Sequence, residues 1–335
     1  MHNNLTNSSE NEYYNLMLWT LFLRKAMGND PVWLQVTIST VLLTIFVVGV
    51  IGNLLTCIVI YNDRTMHTAT NFYLFNMAVS DAIVSFAIFL EVYLFVAEAY
   101  LFGEIACKIH YFFVIVLFNN SILVVTALAI ERYIAIWHPL MLKSSMAWKR
   151  VMKVIAIIWI IAILETAPEV LSVELTRTHH VSVCFIVPSP FSRVVNGILA
   201  LVTFVIPLGI LLFVYIMIAL KVNITEKSNS NRKIFNHRDN RSKVNKLIVA
   251  ITLSFLICWL PFFTFRVLLF SFDMRELMQM EKFWGTGYKV VLVNSWFSIV
   301  LNPILFSLMS TKFRKALKML WNKKTHNQNT ETTAV

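Results

Sequence analysis

The sequence predicts an all-α membrane protein: a seven-transmembrane helix bundle with a short amphipathic eighth helix and a β-hairpin in the second extracellular loop. Three observations carry this. The 335 residues are 58% hydrophobic and only 14% charged, where a soluble domain carries roughly 25% charged residues. Seven apolar runs stand at 33–61, 71–97, 107–137, 151–171, 191–222, 244–272 and 283–309, and a helix needs about 20 such residues to cross a bilayer core. Lys and Arg collect at Arg64, at Lys143, Lys149 and Arg150, between Lys221 and Lys246, and between Lys312 and Lys324. The alternate connections hold acids such as Glu98, Glu104, Glu169, Glu174 and Asp273. That asymmetry puts the basic connections in the cytoplasm. The net charge of +11 is therefore an orientation signal with membrane lipid as its partner, and not a nucleic-acid footprint.

Residues 1–32 read as an extracellular N-terminal tail, because an odd number of spans separates the two termini. Asn4-Leu5-Thr6 and Asn7-Ser8-Ser9 are glycosylation acceptors there. The run 16–23 is too short for a secretory signal, which leaves the first span as its own insertion signal. Within the bundle, residues 33–309, the first span carries Gly52-Asn53 and the second Asp81. A carboxylate at membrane depth marks an ion or relay site more often than packing. The third span ends Glu131-Arg132-Tyr133, a charge pair where an apolar helix runs out. Trp159 lies in the fourth span, Pro207 and Tyr215 in the fifth, Cys258-Trp259-Leu260-Pro261 in the sixth, and Asn302-Pro303-Ile304-Leu305-Phe306 closes the seventh. A proline inside a span frees a carbonyl and kinks the helix, so three such spans imply a bundle that changes shape.

Cys57 and Cys258 lie inside spans as packing residues. Cys107 and Cys184 both fall at the outer face, where an oxidising compartment permits a bridge, two free thiols being the alternative. Period-two alternation on both sides of a polar turn in 173–186 predicts the hairpin. Residues 222–243 are polar, basic and aperiodic, hence a flexible inner loop with a helical extension at its end. In 311–321, Phe313, Leu317, Leu320 and Trp321 interleave with Lys312, Arg314, Lys315 and Lys318, the pattern of a helix lying on the inner leaflet. The cytoplasmic tail 322–335 ends Thr333-Ala334-Val335, a match to peptides that add a strand to a PDZ domain. No nucleophile–base pair, metal-ligand spacing or phosphate loop stands out, so no enzyme and no cofactor is expected.

Together these motifs resemble the rhodopsin-like (class A) G-protein-coupled receptors over nearly all of residues 33–321. Met66-His67-Thr68-Ala69-Thr70-Asn71-Phe72, Leu90-Glu91-Val92-Tyr93 and Leu308-Met309-Ser310-Thr311-Lys312 further resemble receptors for neuromedin U and for insect pyrokinin and capability peptides. The resemblance implies a multi-pass receptor of the plasma membrane that passes binding of an extracellular neuropeptide to a heterotrimeric G protein. It makes Arg132 the switch arginine, paired at rest with adjacent Glu131 beside Tyr133, and Leu140 a plug into the G protein. Trp259 beside Pro261 becomes the toggle under the ligand, above a repacking triad of Pro207, Ile122 and Phe255. Asn302-Pro303 and Tyr215 belong to the same switch, and Asp81, Ser121, Ser298 and Asn302 form an allosteric sodium pocket. Where the family ends its seventh span in Tyr, this chain has Phe306, which removes a hydroxyl that could meet Tyr215.

The ligand pocket is expected to use Glu91 for a cationic side chain and Arg266 for an amidated peptide terminus, with Tyr93, Phe270, Tyr288 and Trp296 as aromatic walls. A direct Glu91–Arg266 pair is the structural alternative. Relatives place a second Glu in the third span where this chain has Ile115, and the Gly-x-Pro kink before Glu91 is missing. Val114 and Trp296 occupy the positions where an amine anchor and a retinal lysine would sit, so both ligand classes are excluded. A non-signalling scavenger of peptides and a small ion transporter are the competing functions. The first rests on Phe306 and the second on Asp81 and Glu91.

Overall fold

The computed structural model describes residues 17–22, 30–97, 100–142, 147–177, 182–187, 189–228, 235–272 and 274–332. The glycosylation acceptors Asn4 and Asn7 and the terminal Thr333-Ala334-Val335 lie outside them. Among the described residues, seven helices are long and apolar enough to span a membrane: Val32–Asn62, Ala69–Ala97, Glu104–Trp137, Ala147–Val170, Pro190–Lys221, Lys246–Ser271 and Glu281–Met309. The chain is a multi-pass membrane protein. The third span buries the largest share of its residues and packs against the second, fourth, fifth and sixth. Leu128, Val124 and Ala129 on it are fully covered, which is how one helix comes to be apolar on every side.

Each kink has an identifiable cause. Pro303 cannot donate to the carbonyl of Ile299, and the Asn53 side chain in the first span takes that acceptor at 3.0 Å. Gly52 makes the approach possible, since a Cβ there would stand 2.8 Å from the Pro303 ring. Pro261 likewise frees the carbonyl of Ile257, and Asn294 in the seventh span donates to it and to the carbonyl of Cys258, each at 2.9 Å. Pro207 is accommodated differently: the helix opens into a π-turn over Ala200–Val205, so no tight carbonyl meets the ring. The second span breaks at Phe86 without any proline. Ser85 returns its hydroxyl to the Asp81 carbonyl at 2.6 Å, a back-bond that bends helices.

At one end of the bundle, β1 (Val173–Arg177) pairs antiparallel with β2 (Ser182–Ile186), placing Leu175 opposite Cys184. The hairpin is the expected one, and the Cys107–Cys184 disulfide ties it to the third span. Tyr100 extends the edge, donating its N–H to the Ser182 carbonyl at 2.8 Å. Burial there pushes the Tyr100 phenol above its ordinary pKa. Residues 17–22 of the N-terminal tail are helical, and Trp19 (1% exposed) and Phe22 pack on Leu269, Leu277 and Trp284 at the hairpin end.

Two boundaries differ from expectation. The fifth-span helix continues to Ser228 and the sixth begins at Phe235, so helix replaces most of the loop expected over 222–243. The amphipathic helix begins at Thr311 as expected but runs to Thr332. Its apolar face is the reason it docks: Phe313 and Ala316 are buried against the bundle, with Leu317 and Leu320 beside them. The polar segments carry no apolar period, yet residues such as Lys, Asn and Arg continue a nucleated helix at little cost.

Candidate functional site

Beneath the hairpin lies a cavity of about 190 Å³. Cys184, Phe185 and Ile186 of β2 roof it, and side chains of the second, third, sixth and seventh spans wall it. Of the residues singled out from sequence, Glu91, Arg266, Phe270, Tyr288 and Trp296 all line this cavity. Tyr93 does not. Two residues from Glu91 on a helix means about 200° of rotation, which carries its ring to another face.

The charges in the wall are mostly taken. Arg266 meets Glu169 at 2.6 Å, and Asn196 accepts from its Nε at 2.8 Å and from the same Nη2. Tyr111 donates its hydroxyl to Glu169 at 2.6 Å. Four spans thus converge on one buried polar cluster, with Glu169 only 3% exposed along its side chain. Lys289 is engaged by Asp30 at 2.5 Å. The alternative Glu91–Arg266 pair is therefore not formed, and Glu91 has no ion-pair partner among the described residues. His110 also lines the cavity with Nε2 buried and without a partner.

Glu169 is the residue that sequence reasoning placed wrongly. Counted with the loop acids, it stands instead within the fourth-span helix, facing the bundle. Its position inside the apolar run 151–171 already pointed there, and Pro168 beside it is helical. Tyr111, Lys289 and Phe185 were not singled out either. Tyr111 lies one turn past Cys107, Lys289 follows Tyr288 and Phe185 follows Cys184, and nothing in those spacings says which of the neighbours faces the cavity.

Under the cavity the aromatic rings form a continuous stack toward the bundle centre. Phe118 meets Trp296 at 5.4 Å and Trp259 at 4.5 Å, and Trp259 stacks on Phe255 at 5.9 Å. Ile122 and Phe255 join Trp259 in one buried cluster, with Pro207 buried at the start of the helix beyond the π-turn. Further along, Asn302 donates to Oδ2 of Asp81 at 2.8 Å. Ser121 and Ser298 turn their hydroxyl protons back to the carbonyls of Leu117 and Ser295. One carboxylate and two hydroxyl oxygens are a donor set suited to a hard cation.

At the opposite end, the expected resting pair is absent. Glu131 is bound by Arg150 of the fourth span at 2.5 Å, while the buried Nε of Arg132 has no partner. Adjacent residues on a helix point about 100° apart and do not face each other, so a cation from another span wins the carboxylate. Tyr133 packs against Trp137 and Phe213, and Leu140 is 74% exposed. Tyr215 donates to the Ile248 carbonyl at 3.2 Å and shares a hydrogen bond with Thr252, while Phe306 is buried in the apolar cluster beside it. Arg241, which the resemblance puts where some relatives place an acid to lock Arg132, has its side chain outside the described residues.

Comparison with known proteins agrees with this geometry. The family described as 7 transmembrane receptor (rhodopsin family) matches residues 52–306. Neuromedin-U receptor 2 of Mus musculus is 32% identical over 85% of this chain and 75% of its own length. Pyrokinin-1 receptor of Drosophila melanogaster is 28% identical over 88% and 82%. Growth hormone secretagogue receptor type 1 of Homo sapiens is 29% identical over 92% and 90%. On the seven spans, the hairpin held to the third of them, and a match that runs from Gly52 to Phe306, the chain belongs to the rhodopsin family of seven-transmembrane receptors.

Proposed function

We propose that the chain is a plasma-membrane receptor for a cationic, C-terminally amidated neuropeptide that signals through a heterotrimeric G protein. The observation that carries this is the cavity under the hairpin, walled by aromatic rings and holding a carboxylate, Glu91, that has no ion-pair partner among the described residues. Such a site selects a ligand that brings its own cation, because burying a charge unpaired costs far more than burying it paired. Phe270, Tyr288 and Trp296 supply apolar walls, and Arg266 stands beside them to donate to the peptide's neutral end. The relatives named for neuromedin U and pyrokinin point to the same ligand class.

With the hairpin and residues 17–22 facing outside, the basic connections face the cytoplasm. There Arg132 and the exposed Leu140 offer the surface for the G protein. The aromatic stack from Trp296 through Phe118 to Trp259 is the path by which an occupied cavity would reach that surface. Asp81, Ser121, Ser298 and Asn302 would hold a sodium ion between them, as a charge that favours one packing of the bundle. Cells expressing the chain should release calcium on exposure to neuromedin U or to pyrokinin peptides, and Glu91→Gln should weaken the response at least tenfold. Binding that proceeds at full strength without Glu91 would remove the cation reading.

A further inference from the structure

The fourth span contributes the acid that neutralises Arg266, and this decides what the cavity can accept at the far end of a ligand from Glu91. We infer that Glu169 is the residue that makes the cavity select a neutral amide terminus over a free carboxylate. The inference rests on the peptide-receptor reading and names the terminal chemistry that reading leaves to Arg266.

The argument is a charge balance within one buried wall. Arg266 and Glu169 cancel, Lys289 and Asp30 cancel, and Glu91 is left over. A ligand that neutralises Glu91 with one cation has no further positive charge awaiting it. The Arg266 guanidinium has five N–H donors. Nε and Nη2 are already committed to Asn196 and Glu169, which leaves the Nη1 donors for an uncharged acceptor such as an amide carbonyl. A carboxylate placed there would add a second negative charge next to Glu169, in a site where solvent screening is weak. It would also have to compete for a guanidinium that Glu169 holds at 2.6 Å while accepting the Tyr111 hydroxyl. Glu169 is fixed from two sides and does not yield its place. The third span brings no acid to this wall, since Ile115 lines both the main cavity and a smaller one that Glu169 and Arg266 share beneath it. The selectivity therefore depends on one side chain of the fourth span.

The test uses the purified full-length protein in detergent and a matched pair of probes, L-arginyl-L-phenylalaninamide and its free acid, with dissociation constants from saturation-transfer NMR. The wild type should bind the amide at least about tenfold more tightly than the acid, a difference of about 1.4 kcal/mol. Glu169→Gln should bring the two within about threefold, chiefly by tightening the acid, because the freed guanidinium now pairs with it. Should Glu169→Gln fail to fold, Ile115→Glu changes the ratio in the opposite direction, widening the amide preference by adding a second acid to the same wall. An amide-to-acid ratio that is unmoved in Glu169→Gln or Ile115→Glu overturns the inference, as does equal binding or no binding of the pair by the wild type. Glu91→Gln separates the two ideas. It should weaken both probes equally, and if it weakens neither while Glu169→Gln still shifts the ratio, the cation reading fails and the role of Glu169 stands.

Discussion

Arg150 holds Glu131 at 2.5 Å, so the Glu131 carboxylate acts on Arg132 only through its charge, and the buried Nε of Arg132 is left without a hydrogen-bond partner. A guanidinium with a buried donor left over is ready to donate to a new acceptor from outside the bundle, since leaving that donor unsatisfied is costly. Arg150→Ala leaves the charge of Glu131 to act on Arg132 alone and should lower ligand-independent nucleotide exchange on a G protein about threefold or more. Exchange that is unchanged or raised would show that Arg150 does not control the switch. At this scale the sequence was legible where chemistry and position agree. Glu91, Arg266, Phe270 and Tyr288 are charged or aromatic residues within about two turns of span ends, and they reach the cavity together with Trp296 deeper in the seventh span. It was illegible where a partner comes from a distant segment. Nothing in the spacing of Glu131 and Arg150, or of Glu169 and Arg266, says which cation will meet which acid, because both pairings are settled by helix rotation.

The spans themselves follow almost directly from composition, since a run of apolar residues in lipid has only the helix as a way to satisfy its backbone. Their breaks do not. The second span bends at Phe86 through a serine back-bond, and the fifth opens a π-turn before Pro207, whereas the sixth stays helical through Pro261. The close contact of the first and seventh spans depends on Gly52, where an added Cβ would stand 2.8 and 2.9 Å from two carbons of the Pro303 ring. That ring cannot swing away as a flexible side chain would. Gly52→Ala should therefore cost about 1–3 kcal/mol of stability, as overpacking generally does, and lower the thermal unfolding midpoint in detergent. A midpoint equal to wild type would mean that the two helices slide apart freely. The long inner connection was misjudged because low apolar content was taken for absence of structure, although polar residues prolong a helix that the membrane has already begun.

For the molecule as a whole, the disulfide determines whether the hairpin stays as the roof of the cavity. Cys107 is fully buried and Cys184 lies in the strand whose next two residues, Phe185 and Ile186, roof the cavity. Cys184→Ser should cost about 2–5 kcal/mol, the usual range for a native bridge, and should weaken peptide binding by far more than it impairs delivery to the cell surface. Radioligand displacement beside surface immunostaining would separate the two. Intact binding after loss of the bridge would mean that strand pairing and the docked Trp19 hold the roof unaided.

The asparagines that answer the prolines act between helices. Asn53 reaches from the first span to the seventh, and Asn294 reaches from the seventh to the sixth. The bends are thus stitched together like links in a watch strap, and lipid offers no replacement thread. If the sixth helix is to pivot at Pro261, it must surrender two acceptors at once or drag its neighbour along. Intermediate tilts would strand those carbonyls in oil, so the bundle should click between two settings and spend little time in the gap.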